Sequence, residues 1–468
     1  MIRNGIIHAA LLLFMLLLPL AFSPVCLYAQ PYTLEDLTEA AVRNNRELRQ
    51  LEVQEEKTLV DLRSAKAGMF PDIGAEIRLN HIANPIDPIT VTAGEFGSYP
   101  VAGEGDVLIP PEDVRIYEGM ESMFYQFIVS LEQPVFTWGK IRNSIDLYKK
   151  GLQTRRLNLE KKREELAATI NVYLYSLYFI EKIEELIEEQ RKTADRLVFI
   201  SEKAYENGFI VYSELLEARI QAKEINLAEY ELREQKEQTL LDLSHTTLIE
   251  DLTIKNLDLS YINENTEDYR LPSSDKLMQA ALTNNLDLQV LSSLKEVADY
   301  KLEIAEGKGY LKPDIGIRFE LSYGGPRFPF VEKDWYGQDE YNLISTIGFV
   351  AKIFDGGKLR SEIELNEEEV KASTYDFEQG KQSIEKFIAR SLLNLSLYRD
   401  NMEYYKLKIE SDKEKVALRK TQHDAGAGQE SEYLKELINQ YADTVKLYQE
   451  KIQFFSTYFM LENVVYGE

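Results

Sequence analysis

Two stretches of the chain, Gly139–Asn207 and Gly357–Ala425, each run about 68 residues without a proline. At about 1.5 Å per residue, a helix of that length extends on the order of 100 Å. No small domain can bury such a rod, so these helices must pack against each other or against further copies. Charges such as Glu181, Glu184, Glu185 and Glu188 beside Lys182, Arg191 and Lys192 read as a solvated face. The apolar cluster "NVYLYSLYF" (Asn171–Phe179) reads as helix–helix packing rather than a cofactor site. Shorter helical patterns at about Leu34–Gly68, Tyr212–Leu243, Asp275–Gly307 and Ser431–Tyr458 can stack end to end in pairs to match the long ones.

The two rods belong to an internal duplication. "AAVRNN", ending at Asn44-Asn45, recurs as "AALTNN", ending at Asn284-Asn285, and "PDIG" at Pro71 recurs at Pro313. "FTWGK" at Phe136 matches "FDGGK" at Phe354, and "ENGFIVYSELL" (Glu206–Leu216) matches "DAGAGQESEYL" (Asp424–Leu434), both 218 residues apart. The order predicted for each half is helix, strand, loop, strand, long helix, turn, helix. The first repeat takes residues 30–250, with strands 71–81 and 123–136 around an outer loop 82–122, then helices 139–206 and 212–245. A linker, 251–272, leads to the second repeat, 273–468, with strands 313–323 and 341–354 around an outer loop 324–340, then helices 357–424 and 431–460.

The strands alternate cleanly. Ile73, Ala75, Ile77 and Leu79 face away from Asp72, Gly74, Glu76 and Arg78, and Ile315, Ile317, Phe319 and Leu321 face away from Asp314, Gly316, Arg318 and Glu320. A half-buried soluble sheet shows the same alternation. Here, however, the runs are of about ten residues, the length of a tilted transmembrane strand. Aromatics also gather at their ends: Phe70, Phe136, Trp138, Tyr310 and Phe354 at one, Tyr125, Tyr323 and Tyr341 at the other, as in an interfacial girdle. Four strands cannot close a barrel, and open edges are not tolerated in lipid. Two copies would supply eight strands and three would supply twelve.

Export is written at the N-terminus. Arg3, the apolar run Ile6–Leu20 and a small-residue cleavage site after Ala29 make residues 1–29 a signal peptide. The one cysteine, Cys26, lies inside it, and Val25 stands where a lipoprotein signal needs a small residue. The mature chain is therefore expected to carry no thiol and no disulfide. The net charge of −25 leaves no basic stripe for nucleic acid. His81, His245 and His423 are scattered without metal or triad spacing, and no nucleophile elbow or phosphate loop is present. The sequence predicts no enzyme, no cofactor and no metal. A soluble periplasmic coiled-coil adaptor explains the rods but not the four amphipathic strands.

The helix motifs "AAVRNN" and "AALTNN", the strand starts "FPDIG" and "KPDIG", the junctions "QPVFTWGK" and "IFDGGK", and the turn "NGFIVYSELLEAR" together resemble the TolC-type outer-membrane efflux channel family over essentially the whole mature chain. The resemblance implies a mostly α fold with a membrane β-barrel portion. A homotrimer would close a twelve-stranded barrel that continues as a periplasmic α-helical barrel. It implies an outer-membrane exit duct that docks a periplasmic adaptor and an inner-membrane transporter. The turns at Asn207-Gly208 and Ala425-Gly426 resemble the family's periplasmic tips, where acidic residues often follow the glycine by six and nine positions. Glu214, Glu217 and Glu432 conform, and Lys435 departs. We expect Glu214 and Glu432 to form a negative constriction, with Lys435 pairing Glu432 one turn away.

The "QPVFTWGK" junction then marks the waterline. Phe136, Trp138 and Phe354 sit in the interfacial belt, and Gly139, Gly356 and Gly357 permit the bend into the helix. Lys140, Arg142, Lys358 and Arg360 place positive charge at helix starts, against the macrodipole, and are expected to face lipid phosphates.

Overall fold

The computed structural model describes residues 31–103, 105–333, 335 and 340–467. The signal peptide expected at residues 1–29, with Cys26, lies outside the described residues. In chain order, α1 (Leu34–Asn44), α2 (Arg46–Ala67) and β1 (Asp72–His81) lead to four short strands. These are β2 (Ile89–Val91), β3 (Ser98–Val101), β4 (Gly105–Leu108) and β5 (Val114–Tyr117). Then come β6 (Met123–Phe136), α3 (Lys140–Glu206) and α4 (Tyr212–Thr247). The second half holds α5 (Ser274–Asn284), α6 (Leu286–Gly307), β7 (Asp314–Gly325), β8 (Tyr341–Val350), α7 (Lys358–Asp424) and α8 (Glu430–Tyr466). Among the described residues no helix is long and apolar enough to cross a membrane.

Both rods are single helices of 67 residues. Their seams keep a seven-residue period. In α3, Ile145, Leu152, Leu159 and Leu166 are buried at that spacing. Farther along, Ile180, Ile187, Ala194 and Ser201 are interleaved with Ile183, Gln190 and Leu197, all buried. In α7 the same spacing buries Ile388, Leu395, Met402 and Ile409. A 3.5-residue repeat keeps one seam against a neighbouring helix, which is the coiled-coil solution for a rod with no core of its own. Leu174, Leu177 and Phe179 of the "NVYLYSLYF" cluster are fully buried, so that stretch is packing core.

The helices expected at about Leu34–Gly68 and Asp275–Gly307 are each broken in two at the second asparagine of the "NN" pair. Asn45 leaves helical geometry (φ −66°, ψ 122°), and its Oδ1 accepts the N–H of Leu48 at 3.0 Å, starting α2. Asn285 repeats the backbone turn (φ −61°, ψ 120°), and its Nδ2 donates to the Val464 carbonyl at 2.6 Å. Helical periodicity runs through both breaks, and only the capping chemistry of Asn marks them. Asn45→Ala should cost about 1 kcal/mol while Asn45→Asp, which keeps the cap oxygen, costs little. The melting temperature of the purified protein measures both.

The chain divides into two compact units that cut across the repeats. One collects residues up to Leu51, Asn158–Asp287 and Lys381 onward; the other collects Glu52–Leu157 and Leu288–Gly380. The second unit carries an antiparallel sheet in the order β1-β6-β7-β8. Directly opposed pairs such as Ile73↔Leu131, Val129↔Leu321 and Ile317↔Ile347 put apolar side chains on one face. Among the described residues, the outer edges of β1 and β8 have no partner, and β1 is exposed along its whole length.

The largest departures from the sequence expectation fall at three places. The strand expected at 341–354 stops at Val350, which pairs with the first residue of β7, Asp314. Pro313 before it has no N–H with which to extend the ladder. The helix expected at 431–460 continues to Tyr466, because Leu461 and Val465 remain buried and Gly467, at φ 68°, forms its cap. The outer loop 82–122 is a ribbon of two hairpins, β2 with β5 and β3 with β4. Its strands are three or four residues long and set among glycines and prolines, too short to register as a period.

Candidate functional site

Two places on the chain combine special backbone with concentrated charge: the tips of the helical hairpins, and the junctions where strands become helices. Both tips use the same stop. Gly208 (φ 76°) and Gly426 (φ 72°) end α3 and α7 in the left-handed region. Phe209 N–H returns to the Ala204 carbonyl and Gly208 N–H to that of Tyr205, and Ala427 and Gly426 do the same with Gln422 and His423. This double closure satisfies carbonyls left over at a helix end and needs glycine in the αL position. Asn207 adds a side-chain bond to the Lys203 carbonyl at 2.7 Å.

The charges at the tips are arranged differently from the sequence expectation. Glu432 does not pair with Lys435; its Oε2 lies 2.9 Å from Arg419 of α7. Lys435 makes no ion pair among the described residues. One turn of α8 separates the two, but Arg419 is nearer and carries a forked cation suited to a carboxylate. A second contact was not anticipated. Arg196 of α3 grips Glu430, in the first turn of α8, through Nε at 3.0 Å and Nη2 at 3.3 Å. This ties the first hairpin to the second. Farther from the tip Gln190 Nε2 donates to the Ile438 carbonyl at 3.1 Å, again between α3 and α8. Glu214 and Glu217 are exposed at the start of α4. Sequence periodicity could mark Arg196 and Glu430 as surface charges but not as partners 234 positions apart.

The two tips also differ in surface. At the first, Phe209, Val211 and Tyr212 are 81%, 60% and 55% exposed. The second has Ala427, Gln429 and Glu430 at the corresponding positions.

At the junctions, the bend takes two consecutive left-handed residues in each repeat: Gly356 and Gly357 (φ 72° and 90°), and Trp138 and Gly139 (φ 52° and 80°). A bulky residue at φ 52° is strained by about 1–3 kcal/mol. Trp138 is held there by three contacts: its Nε1–H donates to the Pro313 carbonyl at 2.9 Å, its ring packs against Phe136 at 5.1 Å, and Lys312 Nζ sits 5.9 Å over it. Phe354 is exposed. The expectation that all four basic residues face lipid phosphates fails at Lys140. Its ammonium is bound to the Asp314 carboxylate and is only 22% exposed, because the start of β7 brings a carboxylate beside the start of α3. Arg142 and Arg360 are 87% and 82% exposed and, among the described residues, approach only their own i+4 carboxylates, Asp146 and Glu364. Lys358 is exposed.

The family model described as "Outer membrane efflux protein" matches residues 37–247 and 277–451. No curated protein matches the sequence significantly. Among solved structures, the CmeC outer membrane channel of Campylobacter jejuni is similar at TM-score 0.71 and 16% identity, over 93% of this chain and 85% of that one. The outer membrane protein VceC of Vibrio cholerae is similar at TM-score 0.68 and 14% identity, over 92% and 95%. The open state of the MtrE outer membrane channel of Neisseria gonorrhoeae is similar at TM-score 0.65 and 14% identity, over 92% and 88%. At these identities the likeness is one of fold.

Proposed function

The chain belongs to the outer membrane efflux protein family of outer-membrane ducts, and from that premise we propose that three copies close one conduit from the periplasm to the cell exterior. The observation that carries this is the pair of open edges on a membrane-type sheet whose first strand, β1, is exposed along its whole length. An edge of unpaired N–H and C=O groups is untenable in lipid, and pairing β1 of one copy with β8 of the next removes it. Three copies of four strands then make a twelve-stranded barrel, and the 67-residue helices continue it into the periplasm.

A periplasmic adaptor protein, fed by an inner-membrane transporter, docks on the tips. The exposed Phe209, Val211 and Tyr212 supply the apolar anchor that such a contact needs. The tip is also the gate. Asn207, Gly208 and Gly426 set the two turns, while Glu214, Glu217, Glu432 and Lys435 surround the opening in the assembled trimer. Arg196–Glu430 latches the second hairpin to the first, and Arg419–Glu432 stiffens the second. Exposed ion pairs contribute little to stability, which suits a latch that an adaptor must release.

Purified wild-type trimers in planar bilayers should show a low conductance that rises several-fold in Arg196→Ala and Glu430→Ala, with a smaller rise in Arg419→Ala. Unchanged conductance in all three would remove the latch. Failure of the protein to reach the outer-membrane fraction as a heat-modifiable trimer would remove the duct.

A further inference from the structure

We infer that the groove at the foot of the sheet, where α2 ends and α3 begins, is a binding site for one anionic phospholipid of the periplasm-facing leaflet. The inference rests on the membrane placement proposed above and adds to it a specific site and a preferred headgroup.

The groove has a volume of about 900 Å³ and lies wholly within one compact unit. Its floor is apolar and open: Met69, Phe70 and Val135 are 59%, 69% and 57% exposed, with Ile141 beside them. Exposed apolar surface of this kind marks a place that something covers. It is continuous with the apolar face of the sheet, since Ile73, three residues beyond Phe70, is 67% exposed. Whatever covers the sheet therefore reaches the groove.

The rim is cationic, in a chain whose net charge is −25. Lys66, in the last turn of α2, has no ion pair among the described residues. Arg142 is 87% exposed and only 4.0 Å from Asp146, its nearest carboxylate. Lys149, two turns on, is 2.8 Å from the same Asp146. The rim thus carries three cations and one carboxylate, Asp146, which two of the cations share, at the edge of an apolar trough. That combination fits a ligand with a phosphate at one end and hydrocarbon at the other. The uncompensated positive charge favours a headgroup with net negative charge over a zwitterion. Lys140, committed to Asp314, takes no part.

The chain has two tryptophans, Trp138 and Trp335, and Trp138 sits between the groove residues Thr137 and Gly139. Trp335→Phe therefore leaves one reporter at the site. Trimers of this variant, reconstituted in nanodiscs of phosphatidylcholine, are titrated with phosphatidylglycerol brominated on its acyl chain, and separately with brominated phosphatidylcholine. Brominated phosphatidylglycerol should quench Trp138 at a lower mole fraction than brominated phosphatidylcholine. Each cation replaced by glutamine at Lys66, Arg142 or Lys149 should raise the midpoint about fivefold. The variant with Lys66→Arg, Arg142→Lys and Lys149→Arg should keep the preference. Equal quenching by the two lipids, or a preference that survives the triple glutamine variant, would overturn the site. So would the absence of quenching by either lipid in intact trimers, which would assign the groove to a second copy of the chain. Outer-membrane fractionation of the same variant reports on the membrane placement separately, so the lipid site can fail while that reading stands.

Discussion

Phe455→Ala is expected to cost about 3–5 kcal/mol and to deplete the protein from the outer-membrane fraction. Phe455 is fully buried in α8. Its ring meets Tyr175 of α3 at 4.7 Å, Phe179 at 5.7 Å and, on α8 itself, Phe459 at 6.0 Å. It also meets Tyr269, which belongs to the linker between the repeats, at 5.1 Å. Aromatic pairs contribute about 0.5–1.5 kcal/mol each beyond their burial, so one truncation loosens α3, α8 and the linker together. The linker is held at further points: Leu252, Ile254 and Leu257 pack in the core with Leu174 and Leu177, and the Tyr261 hydroxyl donates to Asn171 Oδ1 at 2.9 Å. Glu264 bridges Lys182 at 3.5 Å and Lys451 at 3.1 Å, and Arg399 donates to the Thr266 and Tyr269 carbonyls. Burial pushes the Glu264 carboxyl up, but the Lys451 hydrogen bond and the two ammonium charges outweigh it and leave the carboxyl below its ordinary value. Phe455→Leu, which keeps more of the volume, should lose much less. The melting temperature of the purified protein separates the two variants; an alanine variant that melts with the wild type would refute the assignment of this cluster as a packing centre.

Lys408→Met should be the second most damaging change, and its effect should fade on acidification. Asp412 and Asp443 are 2% and 4% exposed between α7 and α8, within hydrogen-bonding reach of each other. Lys408 lies 2.8 Å from Asp443 and Lys415 3.0 Å from Asp412, making two acids and two bases. One oxygen of Asp412 is buried without a donor among the described residues. Removing Lys408 leaves two buried carboxylates to share one cation. A fully buried pair broken in this way costs about 3–5 kcal/mol. Because Lys408 is itself 43% exposed, water screens it and about 2–3 kcal/mol is the fitting expectation at pH 7.

Burial raises the Asp443 carboxyl; the Lys408 hydrogen bond pulls it back and the Asp412 hydrogen bond raises it again, for a net rise above 3.8. A raised folded-state pKa gives stability that is fully present below 3.8 and is lost as pH rises through the folded value. Lowering pH from 7 toward 4 should therefore narrow the gap in melting temperature between Lys408→Met and wild type, and Asp443→Asn should remove most of that pH dependence. A gap that stays constant across the range would show that Lys408 is not coupled to the ionisation of Asp443.

What was legible in the sequence was whatever repeats at short range or recurs at fixed offset. The proline-free runs became two 67-residue helices, and the "QPVFTWGK" and "IFDGGK" junctions became paired left-handed turns. Such features are local: a missing proline, a glycine and an alternation each act within one turn of the chain. The breaks at Asn45 and Asn285 were less legible, because a cap changes the backbone at one residue without interrupting the apolar period.

Tertiary structure alone decided which charges meet. On sequence spacing Lys435 was the natural partner of Glu432, yet Arg419 took that place, Arg196 reached Glu430 across two hairpins, and Asp314 claimed Lys140. A charged side chain is long, and many partners lie within its reach. Which one it finds depends on how the helices are rotated against each other, a quantity set by the whole packed seam. The sequence by itself determined the rods, the strands and their duplication, because hydrophobic period and backbone sterics are encoded residue by residue. The ion pair between the hairpins, the buried acid pair and the cationic groove exist only once distant segments are brought side by side.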